Sequence, residues 1–297
     1  EEPQHATRLR RLIWHVLRLT LRAPEARLYS AYLKRQLGGE AFDTAVIYSD
    51  RAAEPAVRAV SAGRFLLVYH HGAMRREYHD GYGYRRAEKI IAVSEALADK
   101  LRVIPNGLDP AWLDGAPRTA AHTPVRVGFA GRMNERKRPL DALNAAHEAG
   151  YAVAACGDGP LKETFCAAMQ PWDCYLGRIS GMDAMKAFYA DCDVLLVPSS
   201  AETFGMVYLE AMSQGVPVLY TKGQGFDGQF PEGEVGYAVP CGDVRAQAQA
   251  LGRVMQGYAE RSKRCIEGAR RYAWPRIAGM WMELYRDCLL YTSDAAD

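Results

Sequence analysis

Two glutamates, Glu202 and Glu210, lie on either side of a predicted helix start. The backbone N–H groups of Gly205, Met206 and Val207 would open that helix, and free N–H groups at a helix N-terminus bind anions. Glu210 lies roughly 7 Å further along a helix that rises about 1.5 Å per residue. A diphosphate and the ribose of the same nucleotide are separated by a similar distance. The spacing therefore indicates a candidate nucleotide-sugar site, although two glutamates so placed also occur by chance.

A second group of candidate residues lies in the loop after the first strand predicted in the second half of the chain. This loop begins at Gly131 and carries Arg132, Arg136, Lys137 and Arg138. Cations beside a helix start suit a diphosphate, because charge-assisted hydrogen bonds add to the helix dipole. The alternative is an ordinary surface loop of solvated charges.

A histidine pair, His70 and His71, follows the strand predicted at Arg64–Tyr69 and precedes Gly72. Open α/β sheets bind ligands at the carboxyl ends of their strands, so either histidine could reach a ligand. Two ordinary loop histidines are the equally simple alternative.

Residues 223–228 match the dinucleotide-binding pattern G-x-G-x-x-G after a predicted strand. That pattern requires a helix directly after it. Pro231, Gly233 and Gly236 interrupt any such helix. We therefore reject a dinucleotide site at this position.

The composition is that of an ordinary globular protein of about two domains. The 297 residues are 49% hydrophobic and 24% charged, with a net charge of +2. This balance argues against nucleic acid as a partner. Seven cysteines without a C-x-x-C pair favour reduced thiols in a cytoplasmic protein over disulfides or a zinc site. The seven histidines show no ligand spacing, so we expect no metal and no cofactor.

Residues 6–36 form a basic, helix-like segment, with eight Arg or Lys and three Glu in residues 1–36. A basic amphipathic helix can lie on an anionic membrane surface. A core-facing helix with a solvated basic face is the simpler explanation. No apolar run approaches the ~20 residues that span a bilayer. We therefore expect a cytoplasmic protein, with peripheral association at the inner face of the membrane as the alternative.

An alternation of strands and helices must position the candidate residues. Such alternation specifies a doubly wound parallel sheet, with the loops described above at the carboxyl ends of its strands. The predicted strands of the first half are 44–48, 64–69, one within 87–94 and a short one at 103–107. Those of the second half are 125–130, 151–155, 174–177, 193–198 and 216–220. The predicted helices of the second half include 139–149, 161–169, 182–190, 244–258 and 261–285.

A series of short motifs follows this alternation. The motifs are Asn106–Asp109, Gly131-Arg132 with Lys137, Gly157–Pro160, Tyr175–Gly177, Tyr189–Asp193, Pro198-Ser199, and Glu202-x7-Glu210 followed by Gly215 and Pro217-Val218. Any one of them is weak, whereas the ordered set is specific. The set resembles the retaining glycosyltransferases of family 4, and the resemblance covers about residues 40–287.

The resemblance implies an α/β chain with the GT-B fold, in which two Rossmann-like domains face each other across a cleft. We expect an acceptor-side domain at 1–118, a nucleotide-sugar donor domain at 119–274 and a helix at 275–287 that crosses back to the first domain. Residues 1–40 lack the glycine-rich loop that opens the family's first domain, so we expect that domain to be incomplete. Residues 288–297 resemble a translated sequencing adaptor, and we expect them to be a non-native tail.

The resemblance also implies roles for individual residues. Arg132 and Lys137 would neutralise the departing diphosphate, so that no metal is required. Glu202 and His71, or His70 in its place, would contact the transferred sugar, and Glu210 would accept hydrogen bonds from the ribose hydroxyls. The other donor-binding positions would be Gly131, Asp158, Gly177, Arg178, Ile179, Phe204, Gly205 and Met206, with 177–179 against the base.

The expected function is therefore transfer of a sugar, with retention, from a nucleoside-diphosphate sugar to a glycan or lipid-linked acceptor. UDP is the favoured nucleotide and GDP the alternative, and synthesis of bacterial surface polysaccharide is the expected setting. Two other functions stay open at this point. One is a nucleotide-sugar-binding fragment without activity, and the other is a nucleotide-sugar epimerase of GT-B fold.

Overall fold

The computed structural model describes residues 31–37, 39–47, 59–69, 89–92 and 102–290. The chain divides into two compact units, residues 1–92 and residues 93–297. A four-stranded sheet and a six-stranded sheet account for the strands of these residues.

The first sheet contains the strands predicted in the first half of the chain. Its strands are β1 (Ala41–Ile47), β2 (Ser61–Tyr69), β3 (Lys89–Ala92) and β4 (Arg102–Val103), in that order. The first three pair in parallel. Phe65, Leu66 and Ile91 are buried almost completely, as expected where apolar strands form the core. The predicted strands at 44–48 and 64–69 are confirmed, and each begins three residues earlier than predicted.

The second sheet has six strands in the order β10-β9-β8-β5-β6-β7. Every pair in it is parallel. Read from β7, the strands come third, second, first, fourth, fifth and sixth, which is the order of a doubly wound sheet. The strands are β5 (Arg126–Ala130), β6 (Ala152–Cys156), β7 (Cys174–Tyr175), β8 (Val194–Leu196), β9 (Val218–Thr221) and β10 (Gly236–Val239).

Seven α-helices connect and cover these strands in the described part of the second unit. They are α1 (Pro139–Glu148), α2 (Lys162–Ala168), α3 (Met182–Ala190), α4 (Met206–Ser213), α5 (Val244–Met255), α6 (Tyr258–Arg270) and α7 (Trp274–Leu290). The central strands β6, β8 and β9 are buried along their whole length. Burial of this kind explains why they read in the sequence as continuous apolar runs rather than as alternating patterns.

One buried carboxylate, that of Asp193, fixes the beginnings of the two central strands relative to each other. Asp193 is fully buried. It accepts hydrogen bonds from the backbone N–H of His122 (2.9 Å) and of Arg126 (2.8 Å), and it lies 2.8 Å from Nδ1 of His122. Its own N–H donates to the carbonyl of Arg126 at 2.8 Å. The starts of β5 and β8 are therefore held together by side chain and backbone at once.

The structure differs from the sequence prediction at two elements. Strand β10 was not predicted, because four residues beginning with a glycine carry little local signal, and the strand forms by pairing with β9. The helix predicted at 261–285 is two helices. The chain breaks at residues 271–273, where Leu108 N donates to Tyr272 O (2.7 Å) and Trp274 N donates to Leu108 O (3.0 Å). A partner more than a hundred residues away thus ends α6 and starts α7.

The segment before β5 is also held by the second unit. Arg118 donates through its guanidinium to the carbonyls of Tyr189 (2.6 Å), Cys192 (2.5 Å) and Gln214 (3.3 Å). These carbonyls lie at the carboxyl ends of α3 and α4, where helical hydrogen bonding leaves acceptors free. The domain boundary after residue 118 stays a prediction, since the compact units divide at residue 92.

The buried position of Asp193 leads to a stability prediction. Replacing Asp193 with Ala leaves two backbone donors and His122 without their acceptor, and we expect it to lower the free energy of unfolding by about 2–4 kcal/mol. Denaturant titration of the purified chain measures this change. Asp191→Ala is the matched control, because Asp191 is 52% exposed in its ion pair with Arg126, and we expect a loss below about 1 kcal/mol. Equal losses in the two variants would contradict the role assigned to Asp193.

Candidate functional site

The order of the strands creates a natural binding crevice beside β5. The chain passes from β5 to β6 on one side of β5, whereas β8 lies on its other side. Loops leaving the carboxyl ends of strands on the two sides of such a switch point separate, and ligands bind in the gap. Here the gap lies between residues 131–138, called the β5 loop, and residues 197–205, called the β8 loop.

Two of the predicted catalytic residues meet across this gap. Nζ of Lys137 in the β5 loop lies 2.5 Å from Oε2 of Glu202 in the β8 loop. The two side chains are only 15% and 13% exposed. Ser200 N also donates to Arg136 O at 2.8 Å. The switch point therefore holds one cation and one carboxylate side by side, and both are largely shielded from water.

The β5 loop holds Lys137 in a fixed backbone conformation. Lys137 N donates to both the side-chain oxygen and the carbonyl oxygen of Asn134, each at 3.0 Å. The loop ends at Arg138, which has a left-handed backbone with φ of 52°, a conformation unusual for a residue with a side chain. Arg132 is exposed. The predicted pair of cations thus consists of a shielded Lys137 and an exposed Arg132.

The motif Gly157–Pro160 supports the β5 loop from the neighbouring strand. Met133 N donates to Asp158 O at 2.9 Å, and Leu161 N donates to Met133 O at 2.9 Å. A Cβ on Gly157 would lie 1.8 Å from Gly131 O, so only glycine allows this approach. The Asp158 side chain is exposed, and its Oδ1 accepts from Gly159 N at 2.9 Å. A Cβ on Gly159 would lie 2.5 Å from Met133 O, so Gly157 and Gly159 are both needed for close backbone packing.

The predicted base-binding residues follow β7, at the edge of the sheet. Gly177 has φ of 65°, and its carbonyl accepts from Gly157 N at 2.8 Å. Arg178 is exposed and Ile179 is half-buried. These residues are linked to the β5 loop through Gly157, and their contact with a base stays a prediction.

The β8 loop leads into α4 through a left-handed glycine. Gly205 has φ of 87° and ψ of 56° and precedes the first helical residue, Met206. The side chain of Phe204 is 1% exposed, and its ring lies 6.0 Å from that of Tyr272. Phe204 is therefore a core residue by its side chain, and only its backbone N–H is suited to the predicted anion contact.

Two residues that support Glu202 were missed in the sequence. Glu202 N donates to the side-chain oxygen of Gln224 (2.9 Å), and Gly225 N donates to Glu202 O (2.9 Å). A Cβ on Gly225 would lie 1.9 Å from Thr203 O. The glycines of residues 223–228 are visible in the sequence as the pattern that does not qualify as a dinucleotide motif. The structure gives Gly225 a different role, which is close backbone contact with the β8 loop.

The second glutamate of the pair lies on α4 and is half-buried. Oε2 of Glu210 accepts a hydrogen bond from the hydroxyl of Tyr189 at 2.9 Å. Burial raises the pKa of the Glu210 carboxyl above its ordinary value, and the hydrogen bond from Tyr189 acts in the opposite direction. Tyr189 belongs to the motif Tyr189–Asp193 but was not assigned a role from the sequence.

Three expectations concern groups beyond this crevice. His70 and His71 lie outside the described residues. Within the described residues, no three His, Cys, Asp or Glu side chains form a group that could hold a metal ion, and independence of metal stays a prediction. A helix long and apolar enough to cross a bilayer is likewise not found in the part of the chain that the structure describes.

The sequence profile of the family described as "Glycosyl transferases group 1" matches residues 116–272, which is more than half of the chain. The chain belongs to this glycosyltransferase family. It is 32% identical over 206 residues to a phosphatidyl-myo-inositol mannosyltransferase of Mycobacterium leprae, covering 64% of this chain and 54% of that protein. It is 29% identical over 244 residues to a D-inositol 3-phosphate glycosyltransferase of Corynebacterium urealyticum, covering 74% and 56%. The chain thus spans about half the length of these curated relatives.

Solved glycosyltransferase structures share the fold. HepE of Anabaena, solved in complex with UDP, superposes with a TM-score of 0.68 at 18% identity, covering 87% of this chain and 82% of that chain. A sucrose-phosphate synthase from Thermosynechococcus elongatus superposes with a TM-score of 0.66 at 20% identity, covering 84% of this chain and 74% of that chain. The predicted α/β architecture of GT-B type, with Rossmann-like parallel sheets, is confirmed for this glycosyltransferase family member.

The contact between Gly225 and the β8 loop leads to a second prediction. A methyl group on Gly225 must displace the Thr203 carbonyl, and we expect Gly225→Ala to lower the free energy of unfolding by about 2–4 kcal/mol. Gly223→Ala in the same loop is the control. Gly223 has φ of 73° with no atom within 4 Å of the added Cβ, so only backbone strain of about 1 kcal/mol is expected. Denaturant midpoints compare the two, and an equal or larger loss in Gly223→Ala would contradict the packing argument.

Proposed function

We propose that this chain binds a nucleoside-diphosphate sugar at the β5–β8 switch point and that the protein transfers the sugar to an acceptor with retention. The observation that carries the proposal is the contact between Lys137 and Glu202, two shielded and opposite charges held by separate loops. A donor of this kind has an anionic diphosphate and a hydroxyl-rich sugar. In this proposal Lys137 binds the diphosphate and Glu202 binds the sugar.

The diphosphate would lie against Lys137, with Arg132 as a second cation and the N–H groups of Phe204 to Met206 at the start of α4. Breaking the glycosidic bond places negative charge on the departing diphosphate. Fixed cations and N–H dipoles stabilise that charge without reorganisation during the reaction, and such stabilisation commonly contributes most of the rate enhancement. A fixed lysine and a helix N-terminus could supply this stabilisation from the chain's own residues, with no metal required.

The ion pair also suggests how the site stays organised before a donor binds. Lys137 and Glu202 neutralise each other in the gap, where both are shielded from water and an unpaired charge would be costly. On donor binding, Lys137 would exchange the carboxylate for a phosphate oxygen. Glu202 would then be free to accept hydrogen bonds from hydroxyls of the sugar, while Gln224 and Gly225 keep its backbone in place.

The nucleoside would extend from the diphosphate towards Glu210, which would accept hydrogen bonds from the ribose hydroxyls. Arg178 and Ile179 would lie against the base, with Gly177 and Asp158 shaping the loops beneath. UDP is the favoured nucleotide, and the description of the fold neighbour HepE as a UDP complex supports testing it first. GDP is the alternative.

The proposed reaction breaks the bond between the anomeric carbon and the diphosphate oxygen and forms one between that carbon and an acceptor oxygen. For retention, the acceptor attacks from the side that the diphosphate leaves, and its hydroxyl proton passes to the departing phosphate oxygen. The expected acceptors are glycans or lipid-linked glycans, in the synthesis of bacterial surface polysaccharide. The names of two curated relatives add inositol phosphate and phosphatidylinositol to the acceptors worth testing.

A panel experiment tests the proposal directly. Calorimetry with UDP, GDP and ADP measures binding, and hydrolysis of the corresponding donors, with and without acceptors, measures turnover. The anomeric configuration of any product is read by NMR, with EDTA present or absent. Binding without turnover would identify a nucleotide-sugar-binding fragment, whereas failure of all three nucleotides to bind would refute the proposed site.

The proposed role of Lys137 gives a third prediction. Lys137→Ala removes a charge-assisted contact to the diphosphate, so we expect UDP affinity to fall by about 10- to 100-fold. Calorimetry measures the change. Lys263→Ala removes an exposed lysine from α6 and is expected to leave the affinity within about twofold. An unchanged UDP affinity in Lys137→Ala would contradict the proposed contact between Lys137 and the diphosphate.

The ion pair leads to a fourth prediction, in which loss of a site residue raises the affinity for UDP. Glu202→Gln takes away the carboxylate that competes with phosphate for Lys137, so we expect the affinity for UDP alone to rise severalfold. Turnover of the UDP-sugar should fall, because the sugar loses its charged partner. Titration with UDP and a donor-hydrolysis assay on the same variant measure both effects. Loss of UDP affinity in Glu202→Gln would contradict the exchange of partners.

A further inference from the structure

Tyr189 is a buried residue whose only polar side-chain atom faces the candidate site. It lies near the end of α3 and is fully buried. Its ring packs 5.3 Å from that of Phe188 and 6.1 Å from that of Trp112. Its backbone carbonyl accepts a hydrogen bond from Arg118 at 2.6 Å. The ring contacts and the hydrogen bond to the backbone carbonyl therefore hold the phenol oxygen in place.

Among the described residues, the hydroxyl of Tyr189 has one hydrogen-bond partner, Oε2 of Glu210, at 2.9 Å. Burial raises the pKa of the phenol well above its ordinary value, so the hydroxyl keeps its proton and acts as a donor. Among the hydrogen bonds of the described residues, none goes to Oε1 of Glu210. Within the described residues, the thiol of Cys156 also interacts electrostatically with this carboxylate. Burial first, and then the charge of Glu210, raise the pKa of this thiol to about 12, so the thiol is neutral.

The helices that carry the two partners are tied to each other at a second point. Arg118 donates to the carbonyls of Tyr189 in α3 (2.6 Å) and of Gln214 at the end of α4 (3.3 Å). Glu210 lies on α4, one turn before Gln214. The relative position of α3 and α4 is thus set at their ends by Arg118 and within the site by the contact between Tyr189 and Glu210.

We propose that Tyr189 is the positioning residue for nucleotide recognition, holding one oxygen of Glu210 so that the other faces the ribose hydroxyls. This inference rests on the proposed function, since it assigns Glu210 to the ribose. Without the Tyr189 hydroxyl, the Glu210 side chain would populate several rotamers. The charged carboxylate would also lose the hydrogen bond that stabilises it. The effect is specific to ligands that have ribose hydroxyls. A purely structural role would affect every ligand alike.

The test compares UDP with 2′,3′-dideoxy-UDP by calorimetry in the wild-type chain and in Tyr189→Phe. We expect the wild-type chain to prefer UDP. We expect Tyr189→Phe to bind UDP about five- to tenfold more weakly, a loss comparable to that of a typical single hydrogen bond. Its affinity for the dideoxy nucleotide should stay within about twofold, because that ligand makes no use of Glu210.

Dependence on pH gives a second readout. Burial raises the pKa of Glu210 and the Tyr189 hydroxyl opposes the rise, so removing the hydroxyl raises the pKa further. Binding of the ribose hydroxyls requires Glu210 in its carboxylate form. This binding is therefore lost as the pH falls through the pKa of Glu210. UDP affinity in Tyr189→Phe should therefore begin to fall at a higher pH than in the wild-type chain. Binding of the dideoxy nucleotide should show no such difference.

Two further variants separate positioning from general stability. Tyr208→Phe removes another buried tyrosine hydroxyl, one that donates to Val197 O at 2.7 Å, and it should leave the preference for UDP unchanged. In a Glu210→Gln background, Tyr189→Phe should cost no additional UDP affinity, because the two residues act through one contact.

The outcomes divide clearly between the two proposals. Equal losses for UDP and dideoxy-UDP in Tyr189→Phe, or no loss for UDP, would overturn the positioning role while leaving the proposed function intact. A wild-type chain that binds both nucleotides equally would overturn the assignment of Glu210 and, with it, this inference. A chain that binds neither of these nucleotides, nor GDP or ADP, would overturn the proposed function itself.

Discussion

The site depends on the position of one strand in the second sheet. Because β5 lies between β6 and β8, its carboxyl end is the switch point of the sheet, and the gap between the β5 loop and the β8 loop lies there. Lys137 enters this gap from the β5 loop and Glu202 from the β8 loop. At the opposite end of the same strands, Asp193 joins the starts of β5 and β8. A buried carboxylate thus joins the two strands at the end that lies away from the proposed ligand site.

Close backbone packing supports the loops around the gap. Gly157 and Gly225 each bring one loop into contact with a carbonyl oxygen of the next, at distances that no side chain allows. These contacts place the β5 loop on residues 157–161 and the β8 loop on residues 222–228. The functional side chains are thus presented from loops that close backbone contacts support. Fixed dipoles and charges of this kind are what stabilisation of a departing anion requires.

Burial and charge are balanced differently at the two glutamates. Glu202 is shielded and has a lysine as its partner, so its charge is compensated until a ligand takes the lysine away. Glu210 is half-buried beside a tyrosine hydroxyl, and burial raises the pKa of its carboxyl. A neutral donor steadies a carboxylate without neutralising it. One glutamate is therefore suited to exchanging partners and the other to keeping its position.

The sequence by itself determined the alternation of strands and helices, the loops that carry charge, and the residue types at 137, 202 and 210. Apolar periodicity, prolines and glycines are local signals, and these features need nothing more. Only the tertiary structure decided that Lys137 meets Glu202, although 65 residues separate them. It alone decided that Tyr189 reaches Glu210, that Gly225 supports the β8 loop, that β10 joins the sheet and that residues 271–273 break a helix. Each of these depends on a contact between distant segments, which local patterns do not encode.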